Sequence, residues 1–139
     1  MSENFKVLKI DHIAIAVNSN DSAVNLFELL GMSVSESEFI KNEKVNVLKV
    51  KPEHKGHTIE LLEASDESSI VRKFINKRGE GLHHIALEVD NILEAIKYLI
   101  KNNIEIIYKT PKVGAGNKLI TFIDPKSTPG ILLELCQTA

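Results

Sequence analysis

The chain has 139 residues, 43% of them hydrophobic and 26% charged, with a formal net charge of −2, which are the proportions of a single soluble globular domain. The slight acidity leaves no basic footprint for a nucleic acid, and no apolar run approaches the roughly 18 residues that a membrane span needs. The opening Met-Ser-Glu-Asn-Phe-Lys lacks the apolar core of a signal peptide, and a lone cysteine, Cys136, excludes an intrachain disulfide, so a buried thiol in a cytoplasmic protein is expected.

In chain order, Val7 to Val17 reads as a first strand, and Asn18-Ser19-Asn20-Asp21 offers side-chain oxygens to cap the helix that follows. Ala23, Val24, Phe27, Leu29 and Leu30 form its expected apolar stripe, with Gly31 ending it. Three strand-like segments come next: Met32 to Ile40, Lys44 to Lys51 and His57 to Glu63. In the second of these, Val45, Val47 and Lys49 face one way and Asn46, Leu48 and Val50 the other. His54 and His57 flank a polar turn, with no regular ligand spacing. Ser65 to Ser69 caps a helix over Ile70 to Asn76. A strand over 82–89, a helix from about Leu93 to Lys101 and strands over 104–109, Lys118–Ile123 and Ile131–Cys136 complete the chain.

The chain writes one pattern twice. Asp11-His-Ile-Ala-Ile-Ala-Val17 returns as His83-His-Ile-Ala-Leu-Glu-Val89, which sets His12 and His84 at an offset of 72 residues, and each copy runs into an amphipathic helix. The expected architecture is therefore α+β: two tandem βαβββ modules, about 7–64 and 81–137, with a helical connector over 66–78, forming one domain over residues 1–139.

The same repeat pairs two acids, Glu60 in Ile-Glu-Leu and Glu134 in Leu-Glu-Leu, each near the end of its module. A carboxylate between apolar strand neighbours is costly to bury unless a partner compensates it. A single histidine on an apolar strand is most often a hydrogen-bonded core residue, and His83, pointing opposite to His84, is read that way. Two imidazoles and two carboxylates at repeat-equivalent positions instead suit a divalent cation, with positions left open for a bidentate ligand. Gly114-Ala-Gly116 resembles a phosphate-cradling loop loosely, and Lys126 with Ser127 offers an anion contact near Glu134.

Ile-Asp-His-Ile-Ala-Ile-Ala-Val, Ile-Glu-Leu-Leu-Glu, Arg78 to Asp90, Pro-Lys-Val-Gly-Ala-Gly and Leu-Leu-Glu-Leu-Cys-Gln together resemble the methylmalonyl-CoA epimerase family, over about Leu8 to Gln137. That family belongs to the vicinal oxygen chelate, or glyoxalase-like, superfamily. The resemblance implies that His12, Glu60, His84 and Glu134 ligate a metal, Co²⁺ first, with Mn²⁺, Ni²⁺, Zn²⁺ or Mg²⁺ as other choices. It implies an acyl-CoA substrate, bound with help from Gly114, Gly116, Lys126 and Ser127, and a homodimer. It further implies epimerisation by removal and return of the α-proton, with Glu134 and Glu60 as the expected bases. The family's third-strand glutamate falls here on Asn46 or Val47, and its His-Pro-Lys-Ser loop reads Asp124-Pro-Lys-Ser. Two other expectations share the fold: a glyoxalase I acting on a glutathione hemithioacetal, and a metal-free drug-binding resistance protein.

Overall fold

Strand β1 (Val7–Ala16) and strand β6 (Gly81–Val89) carry the repeated motif, and the chain divides within each of them, just before its site histidine. The computed structural model describes residues 4–53 and 56–138, so His54 lies outside them. One compact unit runs from His12 to His83, and the other comprises His84 onward together with the start of the chain up to Asp11.

In the first unit, α1 (Asn20–Leu29) follows β1, then β2 (Ser33–Val34), β3 (Glu38–Ile40), β4 (Val45–Lys51), β5 (Thr58–Ala64) and α2 (Ile70–Arg78). The strands lie in the order β2-β4-β5-β1, with β3 also on β4; β1 and β5 are parallel and the other pairs antiparallel. Alternation along the strands sorts the sheet into two faces. Ile15, Val17, Leu48, Val50, Ile59 and Leu61 pack with Ala23, Val24 and Phe27 of α1, which closes the core. His12, Ala14, Val45, Val47, Lys49, Glu60 and Leu62 occupy the opposite face. Contrary to the expected stripe, Leu29 and Leu30 are 77% and 66% exposed: Leu29 falls off the three-to-four spacing that Val24 and Phe27 set, and Leu30 is the C-cap residue, beyond the last helical position.

The second unit repeats the plan with α3 (Ile92–Lys101), β7 (Lys112–Val113), β8 (Leu119–Ile123) and β9 (Leu132–Gln137), in the order β6-β9-β8-β7. Again the first and last strands of the module, β6 and β9, are parallel. Leu87, Val89, Ile123, Leu133 and Leu135 pack with Ile92, Ala95, Ile96 and Leu99 of α3. Ile120, Phe122 and Cys136 form a smaller cluster with Tyr108 and Leu132. The last strand of each module also caps its own helix. Asn20 N donates to Glu63 Oε1 at 2.7 Å, and Ile92 N donates to Gln137 Oε1 at 2.6 Å. The N-cap residues match as well: Ser19 Oγ accepts from Ser22 N, and Asn91 Oδ1 accepts from Glu94 N.

Two expected strands are shorter than their sequence suggests, and a hydroxyl is the reason in both. Met32 to Ile40 breaks into β2 and β3, since Lys49 N donates to Ser35 Oγ in place of a backbone carbonyl, while Ser35 N donates to Lys49 O, both at 2.9 Å. The segment 104–109 makes only an isolated bridge between Ile106 and Ile123. There Thr121 Oγ1 donates to Tyr108 O at 2.6 Å and accepts from Tyr108 N at 3.2 Å, so a side chain takes the place of the next ladder pair. Strand β7, by contrast, forms inside what reads as a turn-rich loop.

Glu63 gives the fold a direct test. Glu63→Ala should lower unfolding free energy by about 1–3 kcal/mol, the range for a charge-assisted hydrogen bond at a helix N-terminus. Glu63→Gln should recover most of that loss, because Gln137 does the same work in the other unit. Urea titration reads both, and an alanine variant as stable as the parent would show that the cap contributes nothing.

Candidate metal centre

In the parallel β1–β5 pair, Glu60 is the register partner of Ala14, and His12 lies two residues back on the same face. The side chains meet on the diagonal, with His12 Nε2 3.4 Å from Glu60 Oε1. The β6–β9 pair reproduces this arrangement: Glu134 is partnered by Ala86, and His84 Nε2 lies 3.0 Å from Glu134 Oε1. His12 is 4% exposed and the other three are each 5% exposed, while Ala14 and Ala86 are fully buried. An alanine beside each acid leaves the space that a larger strand residue would fill.

A buried imidazole nitrogen and a buried carboxylate turned toward one another can share a proton or a cation. Two ligand atoms at the Zn–N and Zn–O bond lengths, near 2.1 Å, would lie roughly 3.0–3.4 Å apart at right or tetrahedral angles. Both observed separations fall in that range, so each half-site suits two neighbouring ligands of a divalent ion. The donor types, nitrogen and oxygen, suit the same class of ion.

What flanks the acids differs between the units. Phe122 on β8 is the register partner of Glu134, and its ring stands edge-on to His84 at 5.5 Å and to Tyr108 at 6.0 Å. The Lys112 ammonium lies 4.6 Å from the centre of the Tyr108 ring. At the equivalent position on β4, the partner of Glu60 is Lys49. The sequence shows which way Lys49 alternates, but only the β4–β5 register shows that its face is the one carrying Glu60.

Other candidates sort out differently. His83 stacks edge-on against Phe74 at 5.0 Å, and the Arg78 guanidinium lies 5.8 Å from the centre of the same ring, so His83 has a packing role. His57 is exposed. A Cβ at Gly114 would lie 2.8 Å from Ile120 Cδ1, so close packing accounts for that glycine. Gly116 has a left-handed φ of 68° inside a short 3-10 turn. Ser127 Oγ accepts from Glu105 N at 3.0 Å and holds the loop, while Lys126 beside it is exposed. Asn46 pairs with Glu63 on the helix side of the sheet, and Val47 faces the site side without an ionisable group. The half-buried acids nearest them in sequence are Glu38, which is the partner of Val47, and Glu43 in the β3–β4 turn. Burial pushes the Cys136 thiol well above its ordinary value, and Asp11 and Glu134 add to the shift, so this cysteine stays protonated and unreactive. Lys118 is partly desolvated, yet its 2.6 Å contact with Asp11 outweighs that effect and holds the ammonium charged. A cavity of about 550 Å³ in the first unit lies on the other side of the sheet, lined by Val17, Ser19, Leu26, Phe27 and Glu80, away from the His12–Glu60 face. No helix among the described residues is long and apolar enough to cross a membrane.

Comparison with known proteins bears on this site. The family model described as the glyoxalase/bleomycin resistance protein/dioxygenase superfamily matches residues 11–122. A mitochondrial methylmalonyl-CoA epimerase of Dictyostelium discoideum is 38% identical over 129 residues, covering 91% of this chain and 76% of that protein. The crystal structure of methylmalonyl-CoA epimerase from Mycobacterium tuberculosis superposes with a TM-score of 0.92 at 30% identity, over 100% of this chain and 93% of that one. A methylmalonyl-CoA epimerase solved with methylmalonyl-CoA and NH4+ superposes with a TM-score of 0.90 at 29% identity, over 96% of each chain.

Proposed function

This chain belongs to the methylmalonyl-CoA epimerase family of the glyoxalase superfamily, and on that premise we propose that it interconverts the (2R) and (2S) epimers of methylmalonyl-CoA. The observation that carries the reading at the site is the duplicated, buried His–Glu pair. In this reading His12, Glu60, His84 and Glu134 together hold one divalent cation. Cobalt is the first choice, and Mn²⁺, Ni²⁺, Zn²⁺ and Mg²⁺ fit the same donors. Such an ion supplies Lewis-acid stabilisation of the enolate charge, typically worth several kcal/mol.

The chain's own groups do the proton work. Epimerisation takes the proton from the carbon between thioester and carboxylate and returns one to the opposite face, so it needs an acceptor on each side. Glu134 is the first of these, its carboxylate oxygen receiving the α-proton. Glu60 is its counterpart from the other half of the repeat. Near-complete burial of both acids keeps bulk water from quenching the carbanion at random. Comparing Glu60→Gln with Glu38→Gln and Glu43→Gln identifies which acid of the first unit serves the second face. Lys126, Ser127, Gly114 and Gly116 are the loop groups of this reading for the acyl-CoA substrate, with Gly114 also packed against Ile120 and Ser127 Oγ also accepting from Glu105 N. We place the protein in the cytoplasm on the ground of its single buried thiol, and as a homodimer on the ground of the family resemblance.

Solvent exchange tests the reaction. In deuterated buffer the protein should wash deuterium into the α-position of methylmalonyl-CoA, lose that activity on chelation and regain it with Co²⁺. Absence of exchange with metal present would refute the epimerase, and turnover of the glutathione hemithioacetal instead would establish the glyoxalase I alternative.

A further inference from the structure

The two half-sites share a donor pair but not its neighbour, and the difference is a charge. Lys49 and Glu60 are register partners in the antiparallel β4–β5 ladder, so the lysine stem rises from the site face one strand away from the ligand carboxylate. Its backbone is held by Ser35 on both sides, N–H to Oγ and carbonyl to N–H. The residue is half-buried, with fully covered Val47 two positions back. Among the described residues its ammonium has no ion pair and no hydrogen-bond partner, although the Glu60 carboxylate lies across the ladder. A partly desolvated cation without a counter-charge is unfavourable in the resting protein and becomes favourable when an anion arrives. In the other unit the same register position holds Phe122, 3% exposed and packed on His84.

We propose that Lys49 binds the free carboxylate of the substrate and so restricts the enzyme to acyl thioesters that carry a carboxylate on the α-carbon. The proposal rests on the epimerase reading. A carboxylate has two oxygens, and a charge-assisted hydrogen bond from Nζ to one of them fixes which side of the substrate meets the first unit. Phe122, at the same register position of the other unit, offers that group no charge. A site with a half-buried cation poised for a carboxylate discriminates against analogues that lack the carboxylate better than an apolar pocket could.

Malonyl-CoA, whose α-carbon is not a stereocentre and which therefore undergoes no net conversion, and propionyl-CoA, which lacks the carboxylate, separate the possibilities by binding alone. The metal-loaded parent should bind malonyl-CoA at least about tenfold more tightly than propionyl-CoA. Lys49→Met should remove that preference by weakening malonyl-CoA alone, and Lys49→Arg should keep most of it. In turnover, Lys49→Met should raise KM for methylmalonyl-CoA by a similar factor, with a smaller effect on kcat. If Lys49→Met retains the preference, the Lys49 assignment fails while the epimerase reading stands. If both ligands weaken equally, the lysine is structural and the proposal fails in the same way. If the parent itself shows no preference, carboxylate recognition by Lys49 fails, while the epimerase reading is decided separately by α-proton exchange.

Discussion

Replacing Glu134 with Gln should cut turnover at least about a hundredfold while leaving the metal in place, since general-base contributions typically span 10²–10⁴-fold. The amide keeps an oxygen that can coordinate, yet it cannot accept a proton at neutral pH. Size and burial barely change, so the packing of Glu134 against Ala86 and Phe122 should survive. Metal content by mass spectrometry and α-proton exchange measured on the same sample decide the matter. Full activity with metal bound would make Glu134 a ligand only. Metal loss together with activity would leave the role of base unsupported.

The second large effect concerns the histidines. His12→Ala and His84→Ala should each abolish stoichiometric metal binding and bring epimerisation down to the metal-free background. The reason is that the four donors are assigned to one ion, so each half-site alone supplies only two of them. This distinguishes a shared centre from two independent ones. If each variant kept about half of the parent's metal, every module would bind its own ion and the four-ligand assignment would be wrong. Far-ultraviolet circular dichroism should stay near that of the parent, because both substitutions are on the sheet face away from the helix-packing clusters.

Much of this was legible in the sequence because duplication supplies an internal comparison. His12 and His84, Glu60 and Glu134 stand at equivalent positions in two strands, and a pattern written twice survives noise that would hide it once. The helix starts were also readable, since Ser19 and Asn91 are N-cap residue types in front of apolar periodicity. Three features were not. The breaks at Ser35 and near Tyr108 depend on hydroxyls entering the ladder, and a serine or threonine looks the same in sequence whether or not it does so. Strand β7 is two residues long, too short for a period of two to show. The role of Lys49 depended on register, because alternation gives a residue's phase but not the residue it faces across the ladder.

The helix caps made by Glu63 and Gln137 bear on the two site carboxylates. Each is three residues beyond a site carboxylate on the same strand, Glu60 in β5 and Glu134 in β9. A slip of either strand by one residue would turn its carboxylate to the helix side of the sheet. The same slip would carry the capping side chain away from the helix start and strand a backbone N–H, of Asn20 or of Ile92, without its acceptor. One displacement thus breaks two requirements at once, and the helix terminus acts as a detent that keeps a strand bearing a buried carboxylate from settling out of alignment.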